Sequence, residues 1–123
     1  MGAWTSDELD RVGTAEELQI ATSRRDGTLR DPVTIWVVRV GNGLFVRSVN
    51  GRGSSWFRGA QVQHEGRIRA GGVEKDVLLV ETEDAVDELD AAYRAKYHRY
   101  AAGIVDSIVG AEARAATLEL VPR

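Results

Sequence analysis

The sequence predicts a mainly β, α+β fold: a six-stranded antiparallel β-barrel with a short N-terminal helix, a short inserted helix and a long C-terminal helix packed outside. Three observations carry this. Period-two alternation recurs between Glu16 and Thr82, interrupted by Gly-bearing turns. A stretch of helical period then runs from Thr82 to Gly110, followed by one last short apolar run. Antiparallel strands that close on themselves remove exposed edges, which favours a barrel over an open sheet in 123 residues.

Each element has its own signal. Thr5-Ser6-Asp7-Glu8 is a capping box, with the Thr5 hydroxyl and the Glu8 carboxylate reaching for each other's amides. Leu9 and Val12 give that helix a short apolar face, and Gly13 is its expected C-cap. Leu18, Ile20 and Thr22 alternate with Gln19, Ala21 and Ser23 as the first strand, and Arg25-Asp26-Gly27 supplies turn chemistry. Val33–Val40, rich in β-branched residues and carrying Trp36, reads as a mostly buried central strand with Pro32 at its start. Gly41-Asn42-Gly43 turns into a strand over Leu44–Val49. In the loop Asn50-Gly51-Arg52-Gly53-Ser54-Ser55, either serine caps a short helix, Trp56-Phe57-Arg58, that stops before Gly59.

Gln61–Ala70 and Val73–Thr82 read as a hairpin around Gly71-Gly72, with His64 on a strand face. The stripe Val86, Leu89, Tyr93, Tyr97, Tyr100, Ile104 and Ile108 defines the long helix and places its three tyrosines in the core. Gly103 weakens that helix by ~1 kcal/mol relative to Ala, so a break is expected near Ala101–Gly103. Ala116–Val121 is the closing strand, ended by Pro122.

Length and composition fit one domain, residues 1–123, with 43% hydrophobic and 28% charged residues. There is no cysteine, which excludes disulfides, thiolate metal sites and cysteine nucleophiles. The start, Met1-Gly2-Ala3-Trp4-Thr5, lacks a basic and an apolar region, so no signal peptide is expected. The longest apolar stretches are too short to span a bilayer, and the expected location is cytoplasmic with no membrane partner. Charge is segregated. Arg24–Arg69 holds nine arginines against three acids, a net of +6, while the rest of the chain carries −9. Such a basic middle fits a local field for an anion, and equally arginines on the wet face of barrel strands.

Several chemistries are missing. No Gly-x-Gly-x-x-Gly follows a strand, no Walker loop exists, and no nucleophile elbow precedes a helix. His64 and His98 lie on separate elements without ligand spacing, so no metal site is expected and no catalytic residue is assigned. The informative stretch is Val46 to Arg58. A strand ends, Gly51 and Gly53 expose backbone amides, Arg47, Arg52 and Arg58 flank them, and a helix N-terminus follows. These features suit a phosphate or carboxylate, with Trp36, Trp56 and Phe57 offering flat apolar surface for a ring. They equally suit a strand-to-helix loop whose aromatics anchor the helix to the barrel.

The strings Pro32–Val38, Gly43–Ser48, Gly51, Trp56-Phe57-Arg58 and Arg67–Gly72, with the basic turn Arg24–Arg30, resemble the split-barrel core of the deazaflavin-dependent nitroreductase family. That family lies within the pyridoxamine-phosphate-oxidase-like group. Ala-Tyr-Arg-Ala-Lys-Tyr at Ala92–Tyr97 resembles a small uncharacterised bacterial branch of the same group. The resemblance implies a split β-barrel that binds FMN, a deazaflavin or haem at the barrel face, as a homodimer. By motif, it implies that Thr34 and Trp36 face the ring system. Ser48, Asn50, Gly51 and Arg52 would meet the phosphate or ribityl chain, with Trp56 and Arg58 closing the pocket. Arg47, Arg52 and Arg58 would stabilise an anionic reduced ring or the phosphate.

The implied function is a flavin- or deazaflavin-binding oxidoreductase acting on a small organic substrate. The alternative is a non-enzymatic split-barrel module that has lost the cofactor and holds a small anion. Nucleic-acid binding ranks last and is not expected, given a pI near 5.4 and acidic flanks.

Overall fold

The computed structural model describes residues 3–123; Met1 and Gly2, where the reading against a signal peptide begins, lie outside the described residues. Helix α1 (Ser6–Thr14) is followed by β1 (Leu18–Thr22), β2 (Val33–Ile35), β3 (Val37–Val40) and β4 (Gly43–Arg47). A 3-10 turn at Gly51–Gly53 leads into α2 (Ser55–Gln63), β5 (Glu65–Ala70) and β6 (Val73–Glu81). Three helices, α3 (Val86–Lys96), α4 (Ala102–Ile108) and α5 (Ala111–Arg114), precede the last strand, β7 (Thr117–Pro122).

The sheet is antiparallel throughout, in the order β2-β1-β5-β6-β7-β4-β3. Its two edges, β2 and β3, are consecutive in the chain and separated by Trp36 alone. The sheet therefore curls until its edges meet through the covalent chain, giving a nearly closed barrel. Seven strands stand where six were expected, because Val33–Val40 changes partner at Trp36. Its first part pairs with β1 and its second with β4. Only that second part is buried: Val37 and Val38 are inaccessible, whereas Val33 and Thr34 are exposed on the edge.

The barrel interior holds Leu18, Ile20, Val37, Leu44, Val46, Ile68, Val77, Leu79, Leu118 and Leu120, closed by Leu9 and Val12 of α1 and Phe57 of α2. A second cluster lies outside, where α3–α5 cover β3 and β4: Val38, Leu89, Tyr93, Tyr97, Val105, Ile108 and Val109, with Trp36 and Phe45 beside them. Strand β4 and the start of β3, Val37 and Val38, are thus covered on both faces, while Arg39 stays exposed.

Local signals account for most boundaries. The capping box is present, with Glu8 N to Thr5 Oγ1 at 3.1 Å and Thr5 N to Glu8 Oε1 at 2.9 Å. Gly13 lies inside α1, not at its cap, and its α-carbon faces the Arg39 side chain, where an added Cβ would sit 3.0 Å from Arg39 Cβ. Helix α2 runs through Gly59 to Gln63, longer than expected, and consumes the start of the strand predicted from Gln61. His64 is not on a strand face but is the left-handed C-cap of α2, at φ 56°. The long C-terminal helix is three helices. Its main break falls at Tyr97–Ala101, and Gly103 lies within α4. Among the described residues, no helix is long and apolar enough to cross a membrane.

Candidate functional site

A cleft of about 400 Å³ opens where the barrel seam meets the outer helices. One wall is β2 and the seam residue: Val33, Thr34, Ile35 and Trp36. Opposite lie the end of β4 and its loop, Arg47 to Asn50, with Ser54 and Trp56 at the start of α2. Ile104, Ser107 and Ile108 of α4 complete it. A larger, open depression of about 700 Å³ over β1, β5 and the Gly71-Gly72 turn carries Glu17, Arg69 and Glu74 but no aromatic side chain. The seam cleft is the smaller of the two, yet it has the concave apolar walls and few polar groups of a ligand site.

Its aromatic wall is rigid. Trp36 stacks on Tyr97 at 3.8 Å and 4° between planes, with Tyr100 edge-on at 4.8 Å. Tyr97 is held in turn: its hydroxyl donates to the Glu16 carbonyl at 2.8 Å and accepts from the Val37 amide at 3.3 Å. Burial raises the Tyr97 phenol well above its ordinary value, so it stays neutral. Next to this stack the Lys96 ammonium donates to the Val37 carbonyl at 2.6 Å, and burial lowers it to about 8. Trp56 meets Phe57 edge to face at 6.0 Å, which fixes the opposite wall to the barrel.

The polar rim is mostly hydroxyl and amide. Ser54 is the N-cap of α2 but makes no cap bond; its Oγ lies 2.7 Å from Ser48 Oγ instead. The first amides of α2 therefore lack a side-chain acceptor at the edge of the cleft.

Arg47 behaves differently from the expectation of a ligand-binding cation. Its side chain is fully buried beneath α3–α5, because β4's outward face is covered there. Nη1 pairs with Asp90 Oδ1 at 2.5 Å and with the Ile108 carbonyl at 3.2 Å. Nε donates to Thr117 Oγ1 at 3.2 Å, and Nη2 reaches the Val86 carbonyl at 3.4 Å. Arg114 takes the other Asp90 oxygen. Burial pushes the Asp90 carboxyl up, but hydrogen bonds and charge from Arg114 and Arg47 outweigh it and hold the pKa below its ordinary value.

Of the nine residues singled out from sequence, six line this one cleft: Thr34, Trp36, Arg47, Ser48, Asn50 and Trp56. The other three do not. Gly51, at φ 81°, is buried against Glu112 of α5. Arg52 turns to the far side, bonding the Ala115 carbonyl at 2.9 Å and Glu81 at 2.8 Å. Arg58 is exposed on α2 and outside the cleft. The α4 residues Ile104, Ser107 and Ile108 line the cleft as well; sequence periodicity places Ile104 and Ile108 on the apolar stripe and carries no signal for Ser107. Asp90 had a signal as well: an acid beside Leu89 and three before Tyr93 sits inside an apolar stripe and needs a buried partner.

Fold and cleft together define a split β-barrel. A conserved hypothetical protein from Mycobacterium tuberculosis shares it at 14% identity and a TM-score of 0.68, over 98% of this chain and 81% of that one. An F420 reductase matches at 15% identity and TM-score 0.59, covering 94% and 90%. A FAD and heme binding protein from Mycobacterium smegmatis matches at 20% and 0.50, covering 94% and 64%. At these identities the likeness is one of fold. Within that class the chain belongs to DUF2255, described as an uncharacterised protein conserved in bacteria, which it matches over residues 8–120. No curated protein matches it in sequence.

Proposed function

We propose that this protein binds the planar ring of a flavin- or deazaflavin-type cofactor in the seam cleft and serves as an oxidoreductase on a small organic substrate. One observation carries the reading: a rigid Trp36–Tyr97 stack and Trp56 wall a cleft of about 400 Å³ whose remaining polar groups are Thr34, Ser48, Asn50, Ser54 and Ser107 beside the buried Arg47. The F420 reductase and the FAD and heme binding protein that share the fold support it.

The residues present fit the ring. Flat apolar side chains match its faces, and hydroxyl and amide groups match its heteroatom edge. A phosphate tail fits less well, since Arg52 and Arg58 lie outside the cleft and Arg47 is spent on Asp90. When bound, such a ring supplies hydride or single-electron transfer. The chain's part is to orient the ring against the indole of Trp36, to donate hydrogen bonds from Asn50 and from the one hydroxyl of the Ser48–Ser54 pair not used in their mutual bond, and to keep water away with Ile35 and Ile108. The lining contains no carboxylate, histidine or lysine, so the cleft itself offers no general acid or base.

The test is titration of the purified protein with FMN and with a deazaflavin, followed by quenching of tryptophan fluorescence. Saturable quenching that weakens at least tenfold in Trp36→Ala is expected; no quenching by either compound would end the proposal. Saturable binding without reduction or reoxidation of the bound ring would favour the non-enzymatic module instead.

A further inference from the structure

The cleft has one charged residue in its wall, and four of its five N–H donors are already used inside the protein. Arg47 makes four hydrogen bonds inside the protein, to Asp90, Thr117 and the carbonyls of Ile108 and Val86. Its charge is paired at 2.5 Å with the Asp90 carboxylate, which it shares with Arg114. A ligand anion arriving at this wall would have to be desolvated without gaining a free cation, an unfavourable exchange. The mouth is apolar as well: Val33, Val49 and Ile104 surround it at 37%, 43% and 51% exposure, and a flat ring laid between them would cover all three.

The proposal rests on the seam cleft being the ring-binding site. We propose that the cleft selects the uncharged heteroaromatic ring system and gains nothing from a phosphate on it. The ligand presents a neutral, planar ring whose heteroatom edge meets Ser48, Ser54 and Asn50, while any anionic tail stays in solvent. The one feature that favours an anion is the start of α2, where Ser54 leaves the amides without a side-chain cap. A helix start acting alone favours an anion by only about two- to fivefold. Those amides serve a ring carbonyl equally.

Riboflavin and FMN share one ring and differ by the phosphate, so they isolate the effect. Calorimetric titration of both, at low and high salt, is the experiment, repeated with Ser107→Arg. Ser107 is exposed on α4 and lines the cleft, so the variant places a free cation there without touching the core. The wild type is expected to bind the two within about fivefold of each other, with riboflavin's affinity insensitive to salt. Ser107→Arg is expected to tighten FMN at least fivefold relative to riboflavin, and high salt to erase the gain. An FMN preference above fivefold in the wild type, lost in high salt, overturns the inference and leaves the cleft reading standing. An unchanged preference in Ser107→Arg overturns it together with the cleft reading, because a ring seated in this cleft would bring its phosphate within range of the new cation. Binding of neither compound overturns both the inference and the cleft reading.

Discussion

Tyr93 and Tyr97 sit one turn apart at the end of α3, and their hydroxyls have opposite environments. Tyr97 bonds Glu16 and Val37, whereas the Tyr93 hydroxyl is buried with no partner. Tyr97→Phe strips the Val37 amide of its acceptor and is expected to cost about 1–3 kcal/mol in urea denaturation. Tyr93→Phe removes a group that already bears its desolvation penalty, so it is expected to be neutral or stabilising by up to about 1 kcal/mol. Equal losses in the two variants would contradict this account. Asp90 supplies the pH dependence. Its folded pKa lies below the ordinary 3.8, so its contribution is complete above the unfolded value and is lost as pH falls through the folded one. Arg114→Gln removes one of the two cations holding it down, and the acid limb of the stability curve is expected to move to higher pH. Coincident acid limbs for wild type and variant would show that Asp90 is not the group. Asp90→Asn leaves Arg47 buried without its counter-charge, at a cost of about 3–5 kcal/mol.

At the scale of elements, two glycines in helices behave in opposite ways. Gly103 in α4 is exposed with nothing within 4 Å of an added Cβ, so Gly103→Ala is expected to raise stability by about 0.5–1 kcal/mol. A Cβ on Gly59 would stand 2.6 Å from Thr22 Oγ1, and Thr22 is buried. Gly59→Ala must therefore lift α2 off β1, at a cost of about 1–3 kcal/mol. A Gly59→Ala protein as stable as wild type would refute the close contact. The same residue shows why α2 was only partly legible. Glycine reads as a helix stop in sequence, but here it is a contact point, and Gln61-Val62-Gln63 alternates as a strand would. Leu18–Thr22, Leu44–Arg47 and the capping box were legible because local periodicity and local hydrogen bonds determine them. The burial of Arg47 was not, because alternation assigns it to the outer face and only the distant helices make that face dry. Arg47, Ser48, Asn50 and Trp56 converge because the β4–α2 segment stays contiguous in space, and Thr34 and Trp36 meet them from β2 and the seam; Arg52 and Arg58 diverge because successive side chains of a turn and a helix radiate.

Taken whole, the barrel depends on a seam. Its two sheet edges are joined by the backbone at Trp36, and β2 is held by three residue pairs to β1 and none on its other side. By contrast, β5, β6 and β7 each have a paired strand on both sides and face the interior cluster. Opening the seam at β2 therefore exposes little buried apolar surface, while opening β6 requires the interior to separate. Local openings of this kind have free energies far below that of global unfolding. Hydrogen exchange is expected to show protection of the 33–35 amides at least ~100-fold below that of the slowest amides in β5–β7. Because β2 forms one wall of the cleft, a ring bound against Trp36 stabilises the closed seam, and saturating ligand should slow exchange at β2 and at 48–54 while leaving β6 unchanged. Exchange at β2 as slow as at β6 in the free protein would mean that the barrel opens only by unfolding globally. Ligand entry would then have to proceed through the mouth formed by α4.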